Sequence, residues 1–342
     1  MPVGGTARSA TINDVAAAAG VSRQTVTRAM NDMRGISADT KQRVLSAARS
    51  LGYRPSRFGR GLVKAPLNTL GLVIDDLANP YYPELAAAVI GFAAERGWNV
   101  MLADAVHVRD RHRLMTDLAQ QVDAIVGYLS LDPVDGSGAA GGDVVELAGL
   151  PVVRIDHDDA AGPPRFGAIS LDPDAAMVAV AAHLAAVGVR RPVMLDASPP
   201  GRASGRARHV AVSLAAHGLA CAVWPAGDAT VAAGAEGAED LIAHGPPFDA
   251  VVAFNDAVAL GVLQTCRRHG VDVPHDVRVV GMDGLSIGTY VTPQLTTLAI
   301  DMSEVARHAV ELAVGMRLGE LPWSGPTVHR RVAHRLVVRE SA

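Results

Sequence analysis

The chain has 342 residues, 49% of them hydrophobic and 4% aromatic, with a formal net charge of −4. That length exceeds one ordinary domain and suits a small domain followed by a large two-lobed one. Its two cysteines, Cys221 and Cys266, lie far apart, which excludes a disulfide scaffold and a cysteine-based metal site and fits a reducing compartment. The opening MPVGGTARSA lacks the apolar core of an export signal, and the longest apolar run, residues 175–189, is interrupted by His183. A cytoplasmic protein without a membrane span is expected.

Charge is unevenly distributed. Through Lys64 the chain carries eleven Lys and Arg against three Asp, whereas the remainder holds 20 against 32 acidic residues. A basic end on an acidic body is the footprint of a polyanion-binding segment, although a solvated charged surface is the plainer reading of charge alone.

In that basic end, TINDVAAAAGVSRQTVTRAMN reads as two short helices joined by a tight turn. Thr11 is the expected cap of the first, with Ile12, Val15, Ala16 and Ala19 at helical spacing; Gly20 stops it and Ser22 caps the second. At about 100° per residue, Arg23, Gln24, Thr27 and Arg28 share one arc of the second helix, and Thr25, Val26, Ala29 and Met30 the other. Arginine matches the two acceptors of guanine and glutamine matches adenine in the major groove, so this face suits base edges. A third helix, capped by Ser37, places Val44, Leu45, Ala48 and Leu51 inward.

The T-I-x-D-V-A-x-x-A-G-V-S-x-x-T-V-x-R start and the L-G-Y-x-P end of this segment resemble the DNA-binding headpiece of the LacI/GalR (lactose-repressor) family. The resemblance implies that Thr11, Ser22, Thr25 and Asn31 hold phosphates while Arg23, Gln24 and Arg28 face bases. It also implies a hinge helix over residues 57–66 that forms on operator DNA. There Leu62 would wedge into the minor groove and kink the duplex, and Arg57, Arg60 and Lys64 would add phosphate contacts. Glycines at 59 and 61 depart from the pattern; each weakens a helix by about 1 kcal/mol relative to alanine. An ordinary basic linker is the alternative reading.

From Asn68 short apolar runs alternate with helical stretches. Strands are expected over Thr69–Ile74, Asn99–Ala103, Ala124–Leu131, Pro151–Ile155, Pro192–Leu195, Ala250–Phe254 and Val277–Gly281, with helices such as Tyr82–Arg96 and Pro173–Val187 between them. This alternation predicts parallel sheets covered by helices, with ligands at the carboxyl ends of strands. The resemblance extends through GLVIDDLANPYYPEL, AVVAFNDAVALGVL, VPHDVRVVGMDG, TPQLTTL and RLVVRES. It implies an all-α helix-turn-helix headpiece (1–56), the hinge (57–66) and an α/β periplasmic-binding-protein-like domain of two doubly wound lobes (67–342). The lobes are expected over about 67–168 with 300–327 and 169–299 with 328–342, the chain crossing near Ile169, Ile300 and Val328.

Carried over residue by residue, the resemblance assigns Asp76, Asn79, Tyr81, Tyr82, Asp156, Arg206, Asn255 and Asp283 to an effector cleft. An arginine among carboxylates and an amide suits a polyhydroxylated ligand such as a sugar. Two departures stand out: His209 and Val210 replace the glycine and aromatic of the R-x-x-G-F/W motif, and Ala229 replaces an aromatic expected after Gly-Asp. Tyr81, Tyr82 or Phe166 are candidates to stack on the ligand instead. For Asn79 and Asn255, helix capping is an equally good reading.

Other signals are set aside. Residues 136–141 fit G-x-G-x-x-G, but residues 132–135 separate them from the preceding strand, which the dinucleotide fingerprint does not allow. The run at 156–159 completes no metal-ligand set, and no nucleophile elbow or H-E-x-x-H pair occurs. No enzyme activity, metal or cofactor is expected. The reading is a ligand-responsive regulator, a repressor, that binds pseudo-palindromic operator DNA as a homodimer; a small-molecule binding module or hydrolase without DNA is the alternative.

Overall fold

Short stop signals divide the beginning of the chain into three helices. The computed structural model describes residues 12–30, 33, 36–51, 68–106, 108, 110–129, 150–156 and 166–342. Helix α1 (Ile12–Ala19) ends where Gly20 adopts φ +63°, a conformation that costs glycine nothing. Ser22 Oγ accepts the Thr25 amide at 3.1 Å to start α2 (Arg23–Met30), and Ser37 Oγ accepts the Thr40 amide at 3.2 Å to start α3 (Ala38–Ser50). Val15, Val26 and Val44 are fully buried between the helices, and Ala19, Ala29 and Ala48 let the backbones approach. Leu45 is half-buried and Leu51 is 40% exposed. The packed stripe of α3 runs through Val44 and Ala48, one turn apart, and Leu51 lies beyond it. Thr11, Asn31, Arg57, Arg60, Leu62 and Lys64, and the segments 136–141 and 157–159, lie outside the described residues.

Residues 68–342 form a second compact unit. Its strands read as near-continuous apolar runs because both faces are covered. The N-lobe sheet holds β1 (Thr69–Ile74), β2 (Asn99–Asp104), β3 (Ala124–Gly127), β4 (Val152–Ile155), β5 (Gly167–Asp172) and β11 (His329–Ala333), in the order β11-β5-β4-β3-β1-β2, all parallel. Leu70, Leu72 and Ile74 of β1 face α4 (Tyr81–Glu95) and α10 (Met302–Leu318), while Val73 faces α5 (Arg111–Ala119). The C-lobe sheet runs β12-β10-β9-β8-β6-β7. Its strands are β6 (Pro192–Asp196), β7 (Ala222–Pro225), β8 (Ala250–Ala253), β9 (Arg278–Asp283), β10 (Thr296–Ala299) and the antiparallel β12 (Arg335–Val337). One face packs against α6 (Asp174–Ala186) and α7 (Gly205–Ala215), the other against α8 (Val231–His244) and α9 (Asp256–Arg268). No described helix is long and apolar enough to cross a membrane.

The expected crossings near Ile169 and Val328 need correction, and with them the lobe limits. Strands β5 and β11 pair from Ala168–His329 to Asp172–Ala333, and Ile169 and Val332 are buried in the N-lobe core. The chain therefore passes between lobes at Asp172–Pro173, at Ile300–Asp301 and at His334, whose amide donates to the Asp172 carbonyl at 2.7 Å. The strand expected to reach Leu131 ends at Gly127. There φ is +154°, and a Cβ would lie 2.0 Å from the Val73 carbonyl oxygen. This close approach lets Tyr128 turn out of the sheet and donate its amide to Val73 at 3.1 Å. Gly127→Ala is expected to cost at least about 3 kcal/mol, read from denaturant midpoints; an unchanged midpoint would contradict the contact.

Candidate functional site

In the N-terminal unit, α2 presents Arg23, Gln24 and Arg28 to solvent, with Thr27 half-buried and its hydroxyl donating to the Arg23 carbonyl at 3.1 Å. Val26 and Ala29 anchor the opposite side. Two guanidiniums and an amide thus stand on one helix face, the amide and one guanidinium in its first turn, where recognition helices touch bases. Ser22 and Thr25 share a hydroxyl hydrogen bond of 2.9 Å at the cap, so the residues read as phosphate ligands also build the helix start.

In the second unit, the carboxyl ends of strands from both lobes surround a cavity of about 200 Å³. This is where doubly wound sheets bind ligands, beside the points where strand order reverses. Asn79, Tyr81, Tyr82, Asp156, Arg206, Asn255 and Asp283 line it together. Asp76 does not: its carboxylate accepts the Ala78 amide at 2.8 Å and shapes the turn. The neighbouring Asp75 lines the cavity instead, accepting from the Tyr82 hydroxyl and from Arg111, each at 3.3 Å.

Three tyrosines make the N-lobe wall. Tyr81, Tyr82 and Tyr128 meet edge to face, with ring centroids 5.4–5.7 Å apart and planes 80–88° apart, an arrangement the ring quadrupoles favour. The Tyr81 and Tyr128 hydroxyls hydrogen-bond each other. Burial, reinforced by nearby carboxylates, pushes all three phenols far up, so they stay neutral donors. Phe166, a candidate for stacking, is instead buried in the N-lobe core.

The C-lobe wall is charged. Arg206, in the first turn of α7, donates to the Phe254 carbonyl at 2.6 Å, and its guanidinium carbon stands 4.5 Å from the Phe254 ring centroid. That bond and cation–π contact fix the fork before any ligand arrives. Asn255 caps α9 through the Val258 amide at 2.8 Å and donates to the Ala229 carbonyl at 3.0 Å. It is thus both cap and wall. Ala229 itself lines the cavity. Asp156 (φ +62°) and Asp283 (φ +128°) are the non-glycine residues with positive φ among the described residues; strain of this kind persists where surrounding structure holds a functional group in place.

Burial pushes the Asp283 carboxyl well above the usual carboxylate range; Arg206 opposes the shift, and Asp256, Asp156 and Glu84 add to it. The native state therefore holds a proton that the unfolded chain has already released. Native stability falls as pH rises from the ordinary carboxylate value toward the raised one. Asp283→Asn is expected to unfold at higher denaturant near neutral pH and to lose that pH dependence; a lower midpoint at neutral pH would contradict it.

Sequence reasoning missed Asp75, Tyr128, Leu171, Phe254, Ile300 and His334, which also line the cavity. All but Leu171, which lies within β5, directly follow the carboxyl end of a strand, a signal that could have found them.

The two units match two family models: residues 11–56 the bacterial regulatory proteins of the lacI family, and residues 181–342 a periplasmic binding protein-like domain. The HTH-type transcriptional regulator AscG of Escherichia coli (strain K12) is 30% identical, over 88% of this chain and 90% of its own. A LacI family transcriptional regulator from Arthrobacter sp. FB24, solved in complex with lactose, is 34% identical with a TM-score of 0.71, over 80% of this chain and 99% of that one. The transcriptional regulator CelR in its cellobiose complex is 28% identical with a TM-score of 0.67, over 97% of this chain and 100% of that one. With a helix-turn-helix domain in one unit, a two-lobed cleft in the other and relatives alike along their length, the chain belongs to the LacI family of helix-turn-helix transcriptional regulators.

Proposed function

We propose that the protein is a dimeric repressor whose hold on a pseudo-palindromic operator is set by a carbohydrate bound between its lobes. The observation that carries this reading is the cavity's shared construction. Tyr81, Tyr82 and Tyr128 come from one lobe, and Arg206, Asn255 and Asp283 from the other. A ligand that touches both rows binds one interlobe angle better than another and so shifts the population of DNA-competent states. Arginine, carboxylates and phenol hydroxyls suit adjacent sugar hydroxyls, and aromatic faces suit the ring. The lactose and cellobiose in the two solved relatives support the same ligand class.

Apolar side chains at the free edges of both sheets support self-association. Leu102 on edge strand β2 and Val223 on edge strand β7 are exposed, as are Ile90 on α4 and Tyr290. A second copy covering them would blunt both edges and place two headpieces on one duplex. Leu102→Glu combined with Val223→Glu is expected to halve the sedimenting mass, and a double variant of unchanged mass would move the interface elsewhere.

A gel-shift tests the whole reading. The full chain should retard operator DNA at modest salt, a chain lacking residues 1–65 should not, and the bound carbohydrate should change operator affinity by about 5–150-fold. A carbohydrate that binds without changing that affinity would refute the coupling.

A further inference from the structure

We propose that His334 is the residue through which a ligand in the cleft acts on the hinge, so that occupancy of the cavity and the charge on this one imidazole bias the same movement of the lobes. This rests on the reading above of a small-molecule effector whose binding is felt at the operator. Each crossing between lobes brings a residue to the cleft: Asp172 at the first, Ile300 at the second and His334 at the third. Ile300 is apolar. The Asp172 carboxylate is already engaged, accepting from the Asp174 amide at 3.0 Å and from Arg331 at 3.3 Å. Of the three, His334 is the one that turns a polar side chain to the inner cavity, and it also lines the neighbouring space of about 550 Å³ beyond Arg206.

The residue is held in place but its ring is not satisfied. Its amide donates to the Asp172 carbonyl at 2.7 Å, which ties the third crossing to the first. The side chain is 9% exposed, and Nδ1 is buried without a hydrogen-bond partner. An unmet buried polar atom is costly. A neutral imidazole carries one donor and one acceptor, and a hydroxyl answers either. Nδ1 is shut from solvent in this arrangement of the lobes, so an arrangement that lets a ligand hydroxyl reach it gains a hydrogen bond that this one lacks. The occupied cleft favours that arrangement. Because His334 stands between β11 of one lobe and β12 of the other, the bias falls on the hinge itself.

Charge works against the same bond. Arg206 on α7, Asp156 after β4 and Asp172 at the end of β5 face the ring, and Asp283, His209 and Arg331 line the same spaces. Burial holds the imidazole below its usual range; the Asp172 carbonyl opposes this, Arg206 reinforces it, and the Asp156 and Asp172 carboxylates oppose it. The ring is therefore neutral in mild base and takes up its proton as pH falls below that range. A ligand that displaces water from the ring favours the neutral form, so it binds more weakly where the imidazole is charged.

The full chain tests this with operator DNA and with lactose, cellobiose, galactose and glucose as probes. Without sugar, operator affinity is expected to change about fivefold or more between about pH 8 and about pH 5.5. His334→Gln, which keeps a neutral donor and acceptor, should lose that change, whereas His244→Gln, exposed at the end of α8, should keep it. Asp283 and the other titrating groups are common to all three chains, so the difference isolates His334. In calorimetry, a sugar that binds at about pH 8 should weaken about fivefold or more at about pH 5.5 in the unaltered chain and not in His334→Gln. His334→Ala should weaken it about tenfold at the higher pH, with partial recovery in the glutamine variant. Equal pH dependence in the unaltered chain and in His334→Gln overturns the proposal, as does an alanine variant in which bound sugar still shifts operator affinity by the full factor. If none of the four sugars binds, the carbohydrate reading loses its support, and the sugar-free operator titration decides for or against His334 by the same comparison.

Discussion

Arg206→Ala abolishes the effector response while operator binding survives: that is the expected result of removing a guanidinium that lines the interlobe cavity. Charge-assisted hydrogen bonds contribute about 1.5–3 kcal/mol each, so losing a two-pronged donor lowers ligand affinity about 100-fold or more. The substitution also strips the Phe254 carbonyl of its 2.6 Å donor and the Phe254 ring of its cation. It removes as well the positive charge that opposes protonation of Asp283, so the variant should hold that proton to higher pH. Arg206→Lys separates charge from geometry. A lysine keeps the cation but lacks the planar fork, and is expected to recover only part of the affinity. Calorimetry with the cognate carbohydrate and a gel-shift on the same preparations read both outcomes; an alanine variant that binds and responds normally would take Arg206 out of the site.

The second large effect is expected on α2. Each bidentate contact to a base contributes about 1–3 kcal/mol of discrimination, so Gln24→Ala and Arg28→Ala should each reduce specific operator affinity by roughly ten- to hundredfold. Effector binding should not change, because residues 68–342 form their own compact unit. Exposure separates this from unfolding: Gln24 and Arg28 face solvent, whereas Val26 and Ala29 on the same helix are buried. Substituting the latter should melt the headpiece and lose specific and non-specific binding together. Selection from random duplexes measures the preference directly. If the Gln24 and Arg28 variants choose the same sequences as the unaltered chain with equal affinity, the helix does not read bases.

What the sequence by itself determined is what depends on neighbours along the chain. Gly20 and the serine caps at 22 and 37 divide the first helices, and the period of Val26 and Ala29 fixes which side of α2 turns outward. Apolar runs such as Thr69–Ile74 announce strands buried on both faces. Motif matches then placed Tyr81, Arg206 and Asp283 at strand and helix ends, where the cavity forms. Five strands escaped because their patterns are short, small or polar, as in Ala222–Pro225 and Arg335–Val337. The tertiary structure alone decided which of two adjacent aspartates lines the cavity. Asp75 and Asp76 have the same chemistry, and only the turn closed by Asn79 and the positions of Tyr82 and Arg111 distinguish them. It also decided where the chain changes lobes, since the pairing of β5 with β11 joins residues about 160 positions apart and no local rule reaches that far. Tyr128, Phe254 and His334 converge on one cavity for the same reason: a binding site is a relation among strand ends, and strand order is set by packing across the whole sheet rather than by any one segment.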